Sequence, residues 1–141
     1  MSETLQQKIR HRSNELLNDF IGIRRHLHAN PELSFQETAT SAYVQSKLKE
    51  MDIPFQVMAG TGVVGILKGG KPSDRVIALR ADMDALPIHE ENQVPYASTV
   101  PGVMHACGHD VHTTILLGAA KILKEFASEW EGTIKLIFQL G

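Results

Sequence analysis

Apolar residues Leu5, Ile9, Leu16, Phe20, Ile23 and Leu27 recur at steps of three, four or seven. That spacing lays a single stripe along one long helix. Asn30-Pro31 ends it, because the residue before a proline avoids helical backbone angles. Ser34 and Glu37 read as an S-x-x-E capping box. It opens a second helix with Val44, Leu48 and Met51 on one face, stopped at Ile53-Pro54.

The pattern then changes to strands. Phe55 to Met58 is a short one. Val63 to Lys68 and Arg75 to Ala81 are rich in β-branched residues. They flank Gly69-Gly70-Lys71-Pro72-Ser73-Asp74, which reads as a hairpin-like connection. Val76-Ile77-Ala78-Leu79 is continuously apolar, as expected of a strand buried on both faces. From Asp82 to Gly108 all periodicity is lost, and Pro87, Pro95, Pro101 and Gly102 interrupt the chain. A loop of that length inside a domain is commonly functional. Helical spacing returns at Ile115, Ala119, Ile122 and Phe126, and Thr133 to Gln139 reads as a last strand. The element order predicts an α/β fold.

Composition narrows the function classes. The 141 residues suit one domain, with 43% apolar and 21% charged residues. With 14 Lys+Arg against 16 Asp+Glu and a net charge of -2, there is no basic field for nucleic acid. The N-terminal stretch lacks the apolar core of a secretory signal. The longest apolar run, Ile115 to Ala120, is too short to span a bilayer. A single cysteine, Cys107, excludes an internal disulfide and a Cys-pair zinc finger, and fits a reducing compartment. The expectation is a soluble, cytoplasmic protein with neither membrane nor nucleic-acid partners.

Several motifs match by letters and fail by context. Gly60-Thr61-Gly62-Val63-Val64-Gly65 spells G-x-G-x-x-G, but its glycines precede a β-branched run, so a turn entering a strand is the better reading. Gly70-Lys71 has no upstream glycine to complete a P-loop. His89-Glu90-Glu91 lacks the second His of H-E-x-x-H and reads as a solvated acidic loop face.

One constellation survives. Four of the 7 histidines, His89, His105, His109 and His112, lie between positions 89 and 112. Three of them share the segment His105-Ala106-Cys107-Gly108-His109-Asp110-Val111-His112. Asp82-Met83-Asp84 ends the apolar strand, where ligands gather in α/β folds. Thiolate, imidazole and carboxylate form the donor set of zinc and similar divalent metals. Gly108 lets the backbone bend so that Cys107 and His109 converge. The start of the next helix favours a thiolate. Asp82 and Asp84 reach one metal together only if the chain turns there, and one carboxylate would instead orient an imidazole from behind. Asp84 also suits a cap on the turn into Ala85-Leu86-Pro87. Asp110 reads as a helix cap, and His112 as a supporting or core residue. His105 reads as a ligand, a substrate contact or a loop residue. His26 and His28 read as dipole-favoured residues at a helix C-terminus. A Cys107 nucleophile with His109 as base is disfavoured by the geometry of side chains two apart on a tight loop.

At these residues the chain resembles the metal-dependent aminoacylase and carboxypeptidase-like amidohydrolases, in the branch of hippurate hydrolase and indoleacetyl-amino-acid hydrolases. The matching stretches are Arg24-Arg25-His26-Leu27-His28, then Asn30-Pro31-Glu32-Leu33-Ser34-Phe35-Gln36-Glu37, then Leu79 to Pro87, then Met104 to Asp110 with His112. The resemblance implies a zinc-exopeptidase-like catalytic domain, here an incomplete three-layer α/β sandwich. Residues 1–141 would be the N-terminal part of that domain. Its C-terminal half and the dimerisation domain that makes the family homo-oligomeric would lie outside these residues. The implied reaction is hydrolysis of the amide bond of an N-acyl amino acid at a site of two divalent metals (Zn, Mn, Co or Ni). The implied metal ligands are Cys107 and His109. Asp84 matches an Asp that supports the site, and Asp82 stands where related carboxypeptidases have a ligand His. The family's Pro-Ala-Glu-Glu, with its general base, does not follow Ile137-Phe138-Gln139. The expectation is therefore a chain inactive by itself, with a non-catalytic metal-binding or interaction fragment as the alternative.

Overall fold

A computed structural model describes residues 3–141. The elements are α1 (Leu5–Glu15), α2 (Leu17–Ala29), α3 (Thr38–Glu50), β1 (Phe55–Met58), β2 (Gly62–Lys68), β3 (Lys71–Asp82), α4 (His109–Glu125), a short 3-10 turn (Ala127–Glu129) and β4 (Glu131–Gln139). The α/β expectation holds: four α-helices and one four-stranded mixed sheet, ordered β1-β2-β4-β3.

The single long N-terminal helix is instead two helices that meet at Leu16. Thr4 caps α1 with a capping box to Gln7. Leu16 faces the interior while Leu5 and Ile9 remain exposed, so the sequence stripe is continuous but only its second half is covered.

The hairpin expected between β2 and β3 does not form. β4 lies between them, antiparallel to β2 and parallel to β3. A parallel pair needs a long crossover, and the loop after β3 together with α4 supplies it. The run Val76 to Leu79 is correspondingly not buried on both faces. β3 is an edge strand, and Val76 and Ile77 are exposed at 59% and 54%.

The core follows the strand alternation. Val63 and Leu67 of β2 and Ile134, Leu136 and Phe138 of β4 point to the same cluster as Val44 and Leu48 of α3 and Leu116, Leu117 and Ala120 of α4. Gly65 lets α3 come close: a Cβ there would touch Leu48 and Leu136 at 3.4 Å. G-x-G-x-x-G is a turn into a strand, with Gly60 at φ 94° and Gly62 starting β2.

The Ser34/Glu37 capping box is absent. Glu32 does that work: its carboxylate accepts the backbone N–H groups of Ala39 and Thr40 at 3.0 and 2.7 Å. Glu37 is fully buried and accepts the N–H of Phe35, the hydroxyl of Thr61 and the N–H of Gly141. It thereby ties the end of β4 to the start of α3.

Candidate metal centre at the strand ends

The parallel strands β3 and β4 end side by side at Asp82 and Gln139. The chain leaves β3 through Met83, which is fully buried and donates its N–H to the Gln139 carbonyl. That anchor separates the two carboxylates. Asp82 turns to the surface, where Arg80 donates to it at 2.7 Å. Asp84 turns inward, and its Oδ1 and its own carbonyl both lie 2.9 Å from His109 Nδ1. Ser34 donates its hydroxyl to the other Asp84 oxygen at 2.8 Å. Asp84 thus hydrogen-bonds the His109 imidazole, and Asp82 is paired with Arg80 instead.

The loop from 83 to 108 has no regular element, only two isolated bridges, Leu33 to Ala85 and Leu86 to Met104. It delivers the chain to Gly108, which sits at the N-cap of α4 with φ 88°. Nothing lies within 4 Å of where a Cβ would be. The left-handed backbone, not crowding, is what calls for glycine. On one side of it Cys107 is an exposed free thiol. On the other, His109 is the first residue of α4. Cys107 is therefore no core thiol.

Donor chemistry fits a divalent metal. A proton on His109 Nδ1 is held by Asp84, which leaves Nε2 with its lone pair free for a cation. No hydrogen bond to Nε2 is found among the described residues. Cys107 is a free, exposed thiol two residues before α4 begins, and a thiol is a metal donor when deprotonated. Among the described residues no group of three or more His, Cys, Asp or Glu converges to form a cage. Cys107 and His109 therefore offer part of a coordination sphere.

Behind this segment is a polar cluster that sequence reasoning missed. His28, assigned to a helix end, is buried. Its Nδ1 is hydrogen-bonded to Asp110 at 2.7 Å, with an Arg24 guanidinium nitrogen 3.3 Å away, and its Nε2 is hydrogen-bonded to Glu90 at 3.0 Å. Asp110 makes no cap bond but lies in the first turn of α4, and Arg24 Nε is 3.0 Å from the same oxygen. Glu90 is no solvated face either, since its side chain is only 3% exposed. Desolvation pushes its carboxyl up, but the Ser98 N–H, His28 and Asn92 more than offset this and hold it at about 2. His105 is buried beside His28, their ring centroids 6.5 Å apart, with neither nitrogen hydrogen-bonded among the described residues. Burial lowers its pKa to about 4, so the ring is neutral at pH 7. It lines a cavity of about 410 Å³ with Arg24, Asn92 and Tyr96. His112 is exposed, its ring centroid 5.8 Å from that of His109. His26 stacks on Tyr43. The signal that could have exposed His28 is its position: next to Leu27 on the buried side of α2, one residue before the helix end.

Residues 78–141 match Peptidase family M20/M25/M40. The chain is 47% identical over 137 residues to the putative amidohydrolase YhaA of Bacillus subtilis, covering 96% of this chain and 34% of that protein. It is 51% identical over 125 residues to the N-acetyl-L-cysteine deacetylase of Bacillus subtilis, covering 88% of this chain and 30% of that one. The solved structure of the Bacillus subtilis YXEP protein, a dinuclear metal binding peptidase from the M20 family, superposes with a TM-score of 0.86 at 43% identity, covering 91% of this chain and 36% of that chain. This chain spans about a third of the length of the curated relatives it matches. Its C-terminal part, residues 78–141, thus matches Peptidase family M20/M25/M40, and over 96% of its length the chain is similar to a putative amidohydrolase.

Proposed function

We propose that these residues supply one part of a two-metal site that hydrolyses the amide bond of N-acyl amino acids. The observation that carries the reading is the Asp84–His109 hydrogen bond at 2.9 Å, two residues from an exposed thiol. It fixes the imidazole with its metal-binding nitrogen outward, beside a second soft donor. Divalent metals bound there would polarise the amide carbonyl and lower the pKa of water. Asp84 orients the His109 ring through Nδ1, and Cys107 offers its sulfur beside the start of α4. Zinc, manganese, cobalt and nickel all accept such donors.

Residues 1–141 are, in this reading, the N-terminal part of the catalytic domain. Two ligands bind a metal weakly, since stable sites use three or four. The remaining ligands, the general base and a dimerisation domain come from chain beyond these residues, and the 141 residues alone turn over no substrate. The relatives named for N-acyl-L-amino acids, N-acetyl-L-cysteine and IAA-amino acids support this substrate class. Among the described residues no helix is long and apolar enough to cross a membrane. The single thiol, exposed and free, suits a reducing cytoplasm.

A chimera tests the reading. Residues 1–141 replace the matching third of the N-acetyl-L-cysteine deacetylase. Chelator-sensitive hydrolysis of an N-acetyl amino acid, lost on Cys107→Ala, is the expected result. A folded, metal-loaded chimera without hydrolysis overturns it, and turnover by residues 1–141 alone overturns the inactivity of the part.

A further inference from the structure

The turn that carries Cys107 and His109 is tied to the β3 side by Asp84 at His109 and by the Leu86–Met104 bridge before it. Gly108 is open on its Cβ side, and Cys107 is exposed. A second tie, to α2, grips the chain both before and after the turn, and its two arms meet at His28. Downstream, His28 Nδ1 holds Asp110, the residue after His109, at 2.7 Å. Upstream, Nε2 holds Glu90 at 3.0 Å. The second Glu90 oxygen accepts the Ser98 N–H, at 2.5 Å. The Ser98 hydroxyl donates to the Val103 carbonyl at 2.6 Å, close to the segment that enters the turn. The side chains of His28, Glu90 and Asp110 are 5%, 3% and 1% exposed, so water does not compete for these bonds.

We propose that His28 is the positioning residue of this site: one buried ring, hydrogen-bonded to Asp110 and to Glu90, clamps both sides of the Cys107-Gly108-His109 turn to α2. The inference rests on the reading of Cys107 and His109 as metal ligands. A ring suits the task because its two nitrogens reach in divergent directions from one rigid plane. A carboxamide of similar reach keeps one of the two bonds and loses the other.

Two measurements on the 141-residue chain test it, one with metal and one without. Cobalt(II) is titrated while the thiolate-to-cobalt absorption is followed. Amide hydrogen exchange is measured at residues 108–112 without metal. His28→Gln is expected to weaken cobalt binding at least tenfold, the range for groups that orient ligands, and to speed exchange across the turn by a similar factor. Val44→Ala, a core substitution on α3 that also lowers stability, leaves both near the native values. A native cobalt affinity in His28→Gln overturns the proposal, as does an equal loss in Val44→Ala. If Cys107→Ala keeps the thiolate band the ligand reading fails by itself, and if the native chain shows no band its two donors bind too weakly to report. Exchange then decides the clamp, and unchanged exchange in His28→Gln overturns it. Should His28→Gln not fold, Glu90→Ala cuts the upstream grip alone and is read in the same way.

Discussion

Asp84 reaches His109 twice, once through its carboxylate and once through its own carbonyl, each 2.9 Å from the same ring nitrogen. The two acceptors are not equivalent. The carbonyl is part of the backbone and survives any substitution, whereas the carboxylate adds charge that raises the basicity of the opposite nitrogen. The pair is built from elements far apart in sequence, the end of β3 and the start of α4. Ser34 braces the carboxylate from a third place.

Asp84→Ala is therefore expected to weaken metal binding toward the lower end of the roughly 10–100-fold range for such partners. The retained carbonyl keeps the ring in its orientation. Asp82→Ala leaves affinity within about twofold, because its carboxylate is paired with Arg80 at the surface. Isothermal titration with zinc or cobalt compares the two. Equal losses would show that Asp84 acts only as general negative charge.

The contrast between these two aspartates shows what the sequence could not convey. Strand alternation would put Asp82 and Asp84 on one side, and they diverge because the chain leaves β3 through Met83, anchored to the Gln139 carbonyl, which no periodic signal announces. The ligand segment is legible because Cys107, Gly108 and His109 are contiguous. His28, Glu90 and Asp110 are not legible as a cluster, since the loop from 83 to 108 brings them together without any periodic signal. The hairpin expectation fails for a similar reason. Two β-branched runs joined by Gly69-Gly70 read as neighbours, but β4, more than sixty residues after β2, pairs with both.

Acid should unfold the protein partly through Glu90. Its carboxyl is held at about 2 against an ordinary 4.5, so the folded state binds fewer protons than the unfolded chain between those values. The stabilising contribution is complete above about pH 4.5 and is lost as the pH falls toward 2. The groups around it are the Ser98 N–H, Asn92 and His28, with Asp110 and Arg24 beyond the imidazole. Urea melts at stepped pH are expected to show a steeper loss below 4.5 in the native chain than in Glu90→Gln. Parallel curves would remove Glu90 from the account.

Leu48 is fully buried between α3 and the sheet and belongs to the central cluster. Leu48→Ala is expected to cost about 3 kcal/mol, the transfer of the side chain plus the cavity left behind. For a domain of this size that is a drop in Tm of roughly 6–12 °C. Calorimetry checks it. A loss under about 1 kcal/mol would mean that α3 packs loosely on β2.

Gly108→Ala separates backbone strain from packing at the turn. A methyl group there meets nothing within 4 Å, so no neighbour has to move. The φ of 88° is the whole cost, about 1–2 kcal/mol for a residue with a Cβ in the left-handed region. The chain can pay this in stability or relax by rotating the turn, which swings Cys107 away from His109. Clamped by His28 at Asp110 and Glu90, the turn is expected to hold, so the variant melts lower while cobalt affinity falls by no more than a few-fold. Combined with His28→Gln, the same alanine lets the turn relax, and the loss of affinity exceeds the sum of the two single effects. Simple additivity in that double-mutant cycle would show that Gly108 and His28 act independently.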